Sequence, residues 1–286
     1  MAETVAALGF TLVEDVLKAV VLGLIQGLTE FLPISSSAHL RIYPELFGWG
    51  DPGAAFTAVI QIGTELAVLI FFWRDIWRIG NAWVRSLFRA EHRGTLDARM
   101  GWYVIIGSLP IVVLGVLLKD VIERDFRSLW LIAGTLVVFG VVLGVADRVG
   151  STDKQIKEMH LRHAVLMGLA QACALVPGVS RSGATLSMGR FLGYDREAAT
   201  RYAFLLAIPA VVGAGLFEIP EISSGDNDYG WGPTITATVV SFVVGYAAIA
   251  WLLRFVSTHS FTPFVIYRIA LGAGTLILVA TGVIAA

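Results

Sequence analysis

Charge is what this sequence most lacks. Lys, Arg, Asp and Glu make up 15% of its 286 residues, while 56% are hydrophobic and the mean hydropathy is +0.76. A soluble domain is about a quarter charged. So few polar groups cannot clothe a water-soluble protein of many buried helices, and that class is set aside. The net charge of −1 removes the basic footprint of a nucleic-acid binder. The single cysteine, Cys173, lies in an apolar run, which excludes an intramolecular disulfide and a cysteine-rich metal site. No Lys or Arg precedes the first apolar residues, and Glu14, Asp15 and Lys18 interrupt the apolar run soon after it begins. The N-terminal stretch therefore lacks the pattern of a cleaved signal peptide.

What is present is apolar sequence in runs of about 20 residues, the length that crosses a bilayer. Six segments have this character, at about 54–72, 102–118, 129–146, 200–219, 234–255 and 263–284. Two more, at about 19–32 and 164–177, run instead into a proline and a serine cluster: Phe31-Leu32-Pro33-Ile34-Ser35-Ser36-Ser37 and Leu175-Val176-Pro177-Gly178-Val179-Ser180-Arg181-Ser182. Proline stops a helix, and serine caps the next one. Each of these segments therefore reads as a re-entrant helix-break-helix hairpin, allowed at membrane depth only where it is buried in protein or lines a wet cavity.

The two hairpins resemble each other. Ser35 falls on Ser180 and Ser37 on Ser182, and Gly23-Leu24-Ile25-Gln26 resembles Gly168-Leu169-Ala170-Gln171. Three candidate spans come after each copy, so the second half enters from the opposite face. The expected fold is an all-α polytopic membrane protein. It has six transmembrane helices plus two re-entrant hairpins in an inverted repeat, within one membrane domain (1–286) of halves 1–150 and 151–286.

Loop charge orients this arrangement. The loop after the first span carries Arg74, Arg78, Arg85, Arg89, Arg93 and Arg99, and Arg148, Lys154, Lys157, Arg190, Arg196 and Arg201 fall on the same side. On the opposite side Lys119, Arg124 and Arg127 are offset by Asp120, Glu123 and Asp125, and the 220–233 loop has Glu221, Asp226 and Asp228 with no Lys or Arg. The positive-inside bias puts the arginine-rich side in the cytoplasm.

Ionisable groups inside membrane segments are functional candidates. Gln26 and Glu30 share a helix face and lead into the first break, and His39 comes one turn after Ser36. The second break supplies Ser180, Arg181, Ser182 and Thr185. If the tips meet, a carboxylate, an imidazole, a guanidinium, several hydroxyls and two helix N-termini share one pocket. That set suits phosphate: a planar arginine fork, free N–H groups, and hydroxyls able to donate or attack. Glu30 has a place there if it holds a proton or a divalent cation such as magnesium. Each residue also has a plainer reading. The serines serve as caps, His39 as a core histidine, Arg181 as the ion-pair partner of Glu30, and Glu65 as either a site residue or the partner of a buried polar group. Arg41 and Arg268 read as interface residues, and His92, His160, His163 and His259 as solvated.

The stretch from Gln26 to His39, Gln-Gly-Leu-Thr-Glu-Phe-Leu-Pro-Ile-Ser-Ser-Ser-Ala-His, resembles the first signature of the bacterial undecaprenyl-diphosphate phosphatases linked to bacitracin resistance. Pro177-Gly178-Val179-Ser180-Arg181-Ser182-Gly183-Ala184-Thr185 resembles their second, Pro-Gly-x-Ser-Arg-Ser-x-x-Thr. The resemblance covers essentially the whole chain. It implies hydrolysis of undecaprenyl diphosphate to the monophosphate, a divalent cation (magnesium or calcium), and a multi-pass protein of the bacterial cytoplasmic membrane with its site open to the periplasmic or outer face. It carries roles to Glu30, Ser36, His39, Arg181 and Thr185. Together with the residue chemistry above, the expected catalytic set is Glu30, Ser36, His39 and Arg181, and the expected phosphate-binding set is Ser35, Ser180, Arg181, Ser182 and Thr185. Metal binding goes to Glu30 with Gln26, which stands where the pattern also has an acid. The expected partners are the polyprenyl diphosphate lipid and the bilayer, with no nucleic acid, and a homodimer is left open. Ser36, His39 and water all remain as the attacking group. The rival class is a secondary transporter or flippase for an anionic solute or lipid phosphate, because broken helices in an inverted repeat are also transporter architecture.

Overall fold

The structure, a computed structural model, describes residues 2–124, 126, 128–222 and 230–285. Asp120, Glu123, Arg124, Asp125, Arg127, Glu221, Asp226 and Asp228, which entered the charge balance, lie outside the residues whose side chains are described. Every regular element of the described chain is a helix. In order it runs α1 (Ala2–Phe31), α2 (Ser36–Leu46), α3 (Ala54–Phe71), α4 (Trp73–Phe88), α5 (Leu96–Leu117) and α6 (Lys119–Arg124). It continues with α7 (Leu129–Val149), α8 (Leu161–Ala172), α9 (Arg181–Phe191), α10 (Arg196–Ile222), α11 (Trp231–Val256) and α12 (Thr262–Ala280). Helices α5, α7, α11 and α12 each hold an 18-residue window of mean hydropathy between 1.8 and 2.5, which makes this a polytopic membrane protein.

Two elements differ from their expectation. The first hairpin arm, expected at about 19–32, is part of a 30-residue helix, roughly 45 Å long at 1.5 Å per residue. No proline interrupts the chain before Pro33, so nothing ends the helix earlier. The arginine-rich stretch expected as a loop after the first span forms α4, set at 70° to α3. By contrast α8, α9 and α2 are only 12, 11 and 11 residues long, too short to cross and of the length seen in re-entrant pieces.

The two breaks are built alike. Ser35 (φ 74°) and Ser180 (φ 70°) are the only non-glycine residues with positive φ among those described. Their hydroxyls bond Ser37 Oγ at 3.1 Å and Ser182 Oγ at 3.2 Å, respectively. Upstream of each break a glycine lets two backbones touch. A Cβ on Gly23 would sit 2.5 Å from the Ala237 carbonyl oxygen, and one on Gly168 would sit 2.0 Å from that of Gly107. Small residues serve this purpose between membrane helices, where dispersion rather than water expulsion drives packing. Helix α1 lies along α11 as α8 lies along α5, and α3 packs on α11 as α10 packs on α5. Ser241 Oγ bridges to Ile60 O at 2.7 Å, and Ser108 Oγ to Leu206 O at 3.1 Å, in the same pairings.

Candidate active site

Pro33 ends α1 by removing a backbone donor, which leaves Glu30 in the last turn and sends the chain back into α2 at Ser36. In the second hairpin Gly178 adopts φ 90°, and the chain restarts as α9 at Arg181, capped by Ser180 Oγ accepting from Gly183 N at 3.1 Å. The tips meet. Ser182 Oγ donates to Leu32 O at 3.1 Å, and Gly178 N reaches Ser37 Oγ at 3.5 Å.

Glu30 is the hub of the meeting point. One carboxylate oxygen accepts from the Arg181 guanidinium of the opposite tip. The other accepts from Ser36 Oγ at 2.6 Å and from Gln26 Nε2 at 3.0 Å. The same Gln26 nitrogen donates to Thr64 Oγ1 at 3.2 Å, while the Thr64 hydroxyl donates to Gln61 O at 2.7 Å. With its proton committed to Gln61, Thr64 is an acceptor for Gln26, so it is the amide nitrogen of Gln26 that faces the carboxylate. A pocket opens here, lined by Glu30, Arg181 and Ser182 from the tips, Thr64 and Glu65 from α3, and Phe204 from α10. Side-chain exposure is 7% for Glu30 and 18% for Arg181, so the arginine is the more accessible partner of the pair.

The remaining candidates sit around this centre rather than in it. Ser35 is buried and bonded to Ser37. Thr185 is buried, with its hydroxyl returned to Arg181 O at 2.8 Å. His39 is buried with both ring nitrogens engaged, Nδ1 against Ser35 O at 2.7 Å and Nε2 against Tyr267 Oη at 2.6 Å. A carbonyl oxygen only accepts, so Nδ1 carries the proton and Nε2 accepts from the tyrosine. Its ring stacks between Tyr43 and Tyr267, with centroids 5.6 and 5.5 Å away. The Ser36 hydroxyl is bonded to the Glu30 carboxylate, whereas both His39 ring nitrogens are bonded elsewhere.

A scan against protein families matches residues 19–274 to the one described as "Bacitracin resistance protein BacA". The chain belongs to that family. A protein named undecaprenyl-diphosphatase from a Nocardioides species is 79% identical over 272 residues, covering 95% of this chain and 99% of its own. Undecaprenyl-diphosphatase 2 of Frankia casuarinae is 60% identical over 267 residues, covering 89% and 91%. Undecaprenyl-diphosphatase of Thermobifida fusca is 57% identical over 271 residues, covering 94% and 92%.

In this family member the residue that sequence reasoning misplaced is Arg268. Far from lying at an interface, it is fully buried and donates to Pro33 O at 3.1 Å, Gly178 O at 2.9 Å and Val179 O at 2.9 Å. One guanidinium from α12 thus ties both breaks together, satisfying carbonyls that their helices leave free. Its signal was available, since a charge well inside an apolar span is expensive and marks a working position. Arg190 is likewise no free loop charge. It is buried against Asp147 at 3.3 Å, and Asp147 also takes Arg196 at 2.7 Å and Phe261 N at 2.9 Å.

Proposed function

We propose that this chain hydrolyses undecaprenyl diphosphate to undecaprenyl phosphate and inorganic phosphate. The observation that carries the reading is the chain Ser36–Glu30–Arg181, assembled across two hairpin tips from residues 151 positions apart. The hydroxyl is a nucleophile already hydrogen-bonded to a carboxylate base, and the arginine is an anion clamp on the open side. An entering diphosphate competes with Glu30 for Arg181. As the guanidinium turns to phosphate oxygens, Glu30 is released to take the Ser36 proton. Ser36 Oγ then bonds to the terminal phosphorus while the bridging P–O bond breaks and undecaprenyl phosphate leaves. Water oxygen then bonds to phosphorus as the Ser36 Oγ–P bond breaks, the proton held by Glu30 returns to Ser36 Oγ, and the protons of the water leave with the inorganic phosphate or to solvent. Arg181 offsets charge on the transferred group, the main lever in phosphoryl transfer, while Ser182 lines the pocket with its proton given to Leu32 O. Ser35, Ser180 and Thr185 hold the turns that aim these groups, and His39 anchors α2 through Tyr267.

A divalent cation fits the donor chemistry. Glu30 from the hairpin tip and Glu65 from α3 are hard carboxylate donors lining the same pocket, and no closed cluster of three or more His, Cys, Asp or Glu occurs among the described residues. Magnesium or calcium takes one or two carboxylates with substrate phosphates completing the shell, and would supply charge neutralisation there. Gln26 orients Glu30 for that purpose through its amide nitrogen.

The loop arginines support a cytoplasmic-membrane orientation with the active site opening to the outer face. The matched breaks support halves 1–150 and 151–286 as an inverted repeat. The transport alternative shares that architecture, but a nucleophile hydrogen-bonded to a base favours hydrolysis. The test is phosphate release from a polyprenyl diphosphate by protein in detergent, with and without chelator. Release should occur, fall with chelation, and disappear in Ser36→Ala. Full release by Ser36→Ala removes Ser36 as the nucleophile, and no release by wild type with magnesium or calcium removes the hydrolase reading.

A further inference from the structure

Helix α4 carries a second feature that the catalytic reading leaves unused. Its pair with α3 bends by 70° around Phe72, so with α3 crossing the bilayer α4 runs close to the membrane plane. It is not the other half of a broken span, because Arg74, Asp75, Arg78 and Arg85 fall within 16 residues and each charge is costly in hydrocarbon.

At 100° per residue α4 divides into three arcs. One faces the protein. Ile79 and Ser86 are buried, and Trp83 packs so closely that a Cβ on Gly101 would lie 2.7 Å from its own. The second is apolar and uncovered: Trp73, Trp77, Val84, Leu87 and Phe88 are 57, 71, 46, 42 and 81% exposed. The third carries Arg74, Arg78 and Arg85, and Arg89 continues it past the helix end. Asp75 is taken by Arg78 at 3.0 Å and by Arg201 at 2.6 Å. Arg85 and Arg89 are exposed and have no carboxylate within ion-pair distance among the described residues.

The geometry points to α4 as a binding site for anionic phospholipid headgroups. Its apolar arc dips into the acyl boundary, and its arginine arc lies beside it at headgroup height. A bare apolar stripe would suit any lipid. Here the uncompensated Arg85 and Arg89 beside exposed Val84, Leu87 and Phe88 select negative charge, as basic amphipathic interfacial helices do. Helix α4 follows α3 directly across the bend at Phe72, and Thr64, Glu65 and Val68 of α3 line the pocket.

The test is a titration of purified full-length protein in neutral detergent with labelled phosphatidylglycerol, competed by unlabelled phosphatidylglycerol or phosphatidylcholine. Wild type should prefer the anionic lipid, and high salt should erase the preference. In Arg85→Gln/Arg89→Gln, phosphatidylglycerol binding should weaken roughly ten- to thirtyfold, from about 1 kcal/mol per basic residue. Phosphatidylcholine competition and phosphate release in detergent should stay unchanged, because both side chains are exposed and remote from the pocket. Trp77→Ser/Phe88→Ser should weaken both lipids alike. Equal affinity of wild type for the two lipids, or an undiminished anionic preference in the double arginine variant, overturns the proposal.

Discussion

At the scale of the residue, Arg181 pairs with Glu30 across the two tips, and the proposed mechanism has it exchange that carboxylate for substrate phosphate. A lysine at 181 keeps the charge but not the planar fork that can leave a carboxylate for two phosphate oxygens. Arg181→Lys and Arg181→Ala should therefore both lose activity by about 10²–10³-fold, read as phosphate release at saturating lipid. A lysine variant with most of the wild-type rate would show that a point charge suffices. Glu30→Gln should lose roughly 10²–10⁴-fold, as expected for a general base, and should blunt the response to added divalent ion. Arg268 differs in kind, because its three acceptors are backbone carbonyls at the breaks. Arg268→Met leaves them buried and unsatisfied at about 1–3 kcal/mol each, so the expected outcome is a large fall in melting temperature together with lost activity. Unchanged melting would mean that the tips hold without the clip.

At the scale of the element, the hairpins depend on helices that touch backbone to backbone. Gly168→Ala would place a Cβ 2.0 Å from Gly107 O, a contact no rotamer relieves, and should separate α8 from α5. The expected cost is about 1–3 kcal/mol or more, with a matching drop in melting temperature. Gly134 on α7 has open space where its Cβ would go, so Gly134→Ala should be neutral or slightly stabilising through its better helix propensity. Equal melting of the two variants would mean that the α5–α8 approach is looser than described. The breaks themselves were legible in the sequence, since a proline leading into serines inside an apolar run has few other readings. The length of α1 and the existence of α4 were not. Arginine-rich sequence after a span looks the same as loop or as interfacial helix until tertiary contacts choose which face of it to cover.

At the scale of the whole molecule, the proposed inverted repeat requires the 81–98 and 220–233 segments to lie on opposite sides of the membrane. In a Cys173→Ala background, which removes the one exposed thiol, Ser224→Cys should react with an impermeant reagent in intact cells. Gly94→Cys should react only after the cells are opened. Labelling of both from the same side would break the opposed entry of the two hairpins. Periodicity and motif spacing determined the membrane class, the two breaks and the candidate chemistry, because helix length, proline sterics and side-chain type are local properties of the chain. The Glu30–Arg181 pair was one of the readings open to the sequence, and which candidates in fact meet was decided by tertiary structure. The partner of Glu30 lies 151 residues away, the role of Arg268 depends on carbonyls from two other segments, and His39 is turned toward Tyr267, 228 residues distant. Contacts at that separation exist only once helices have packed, so no local pattern can encode them.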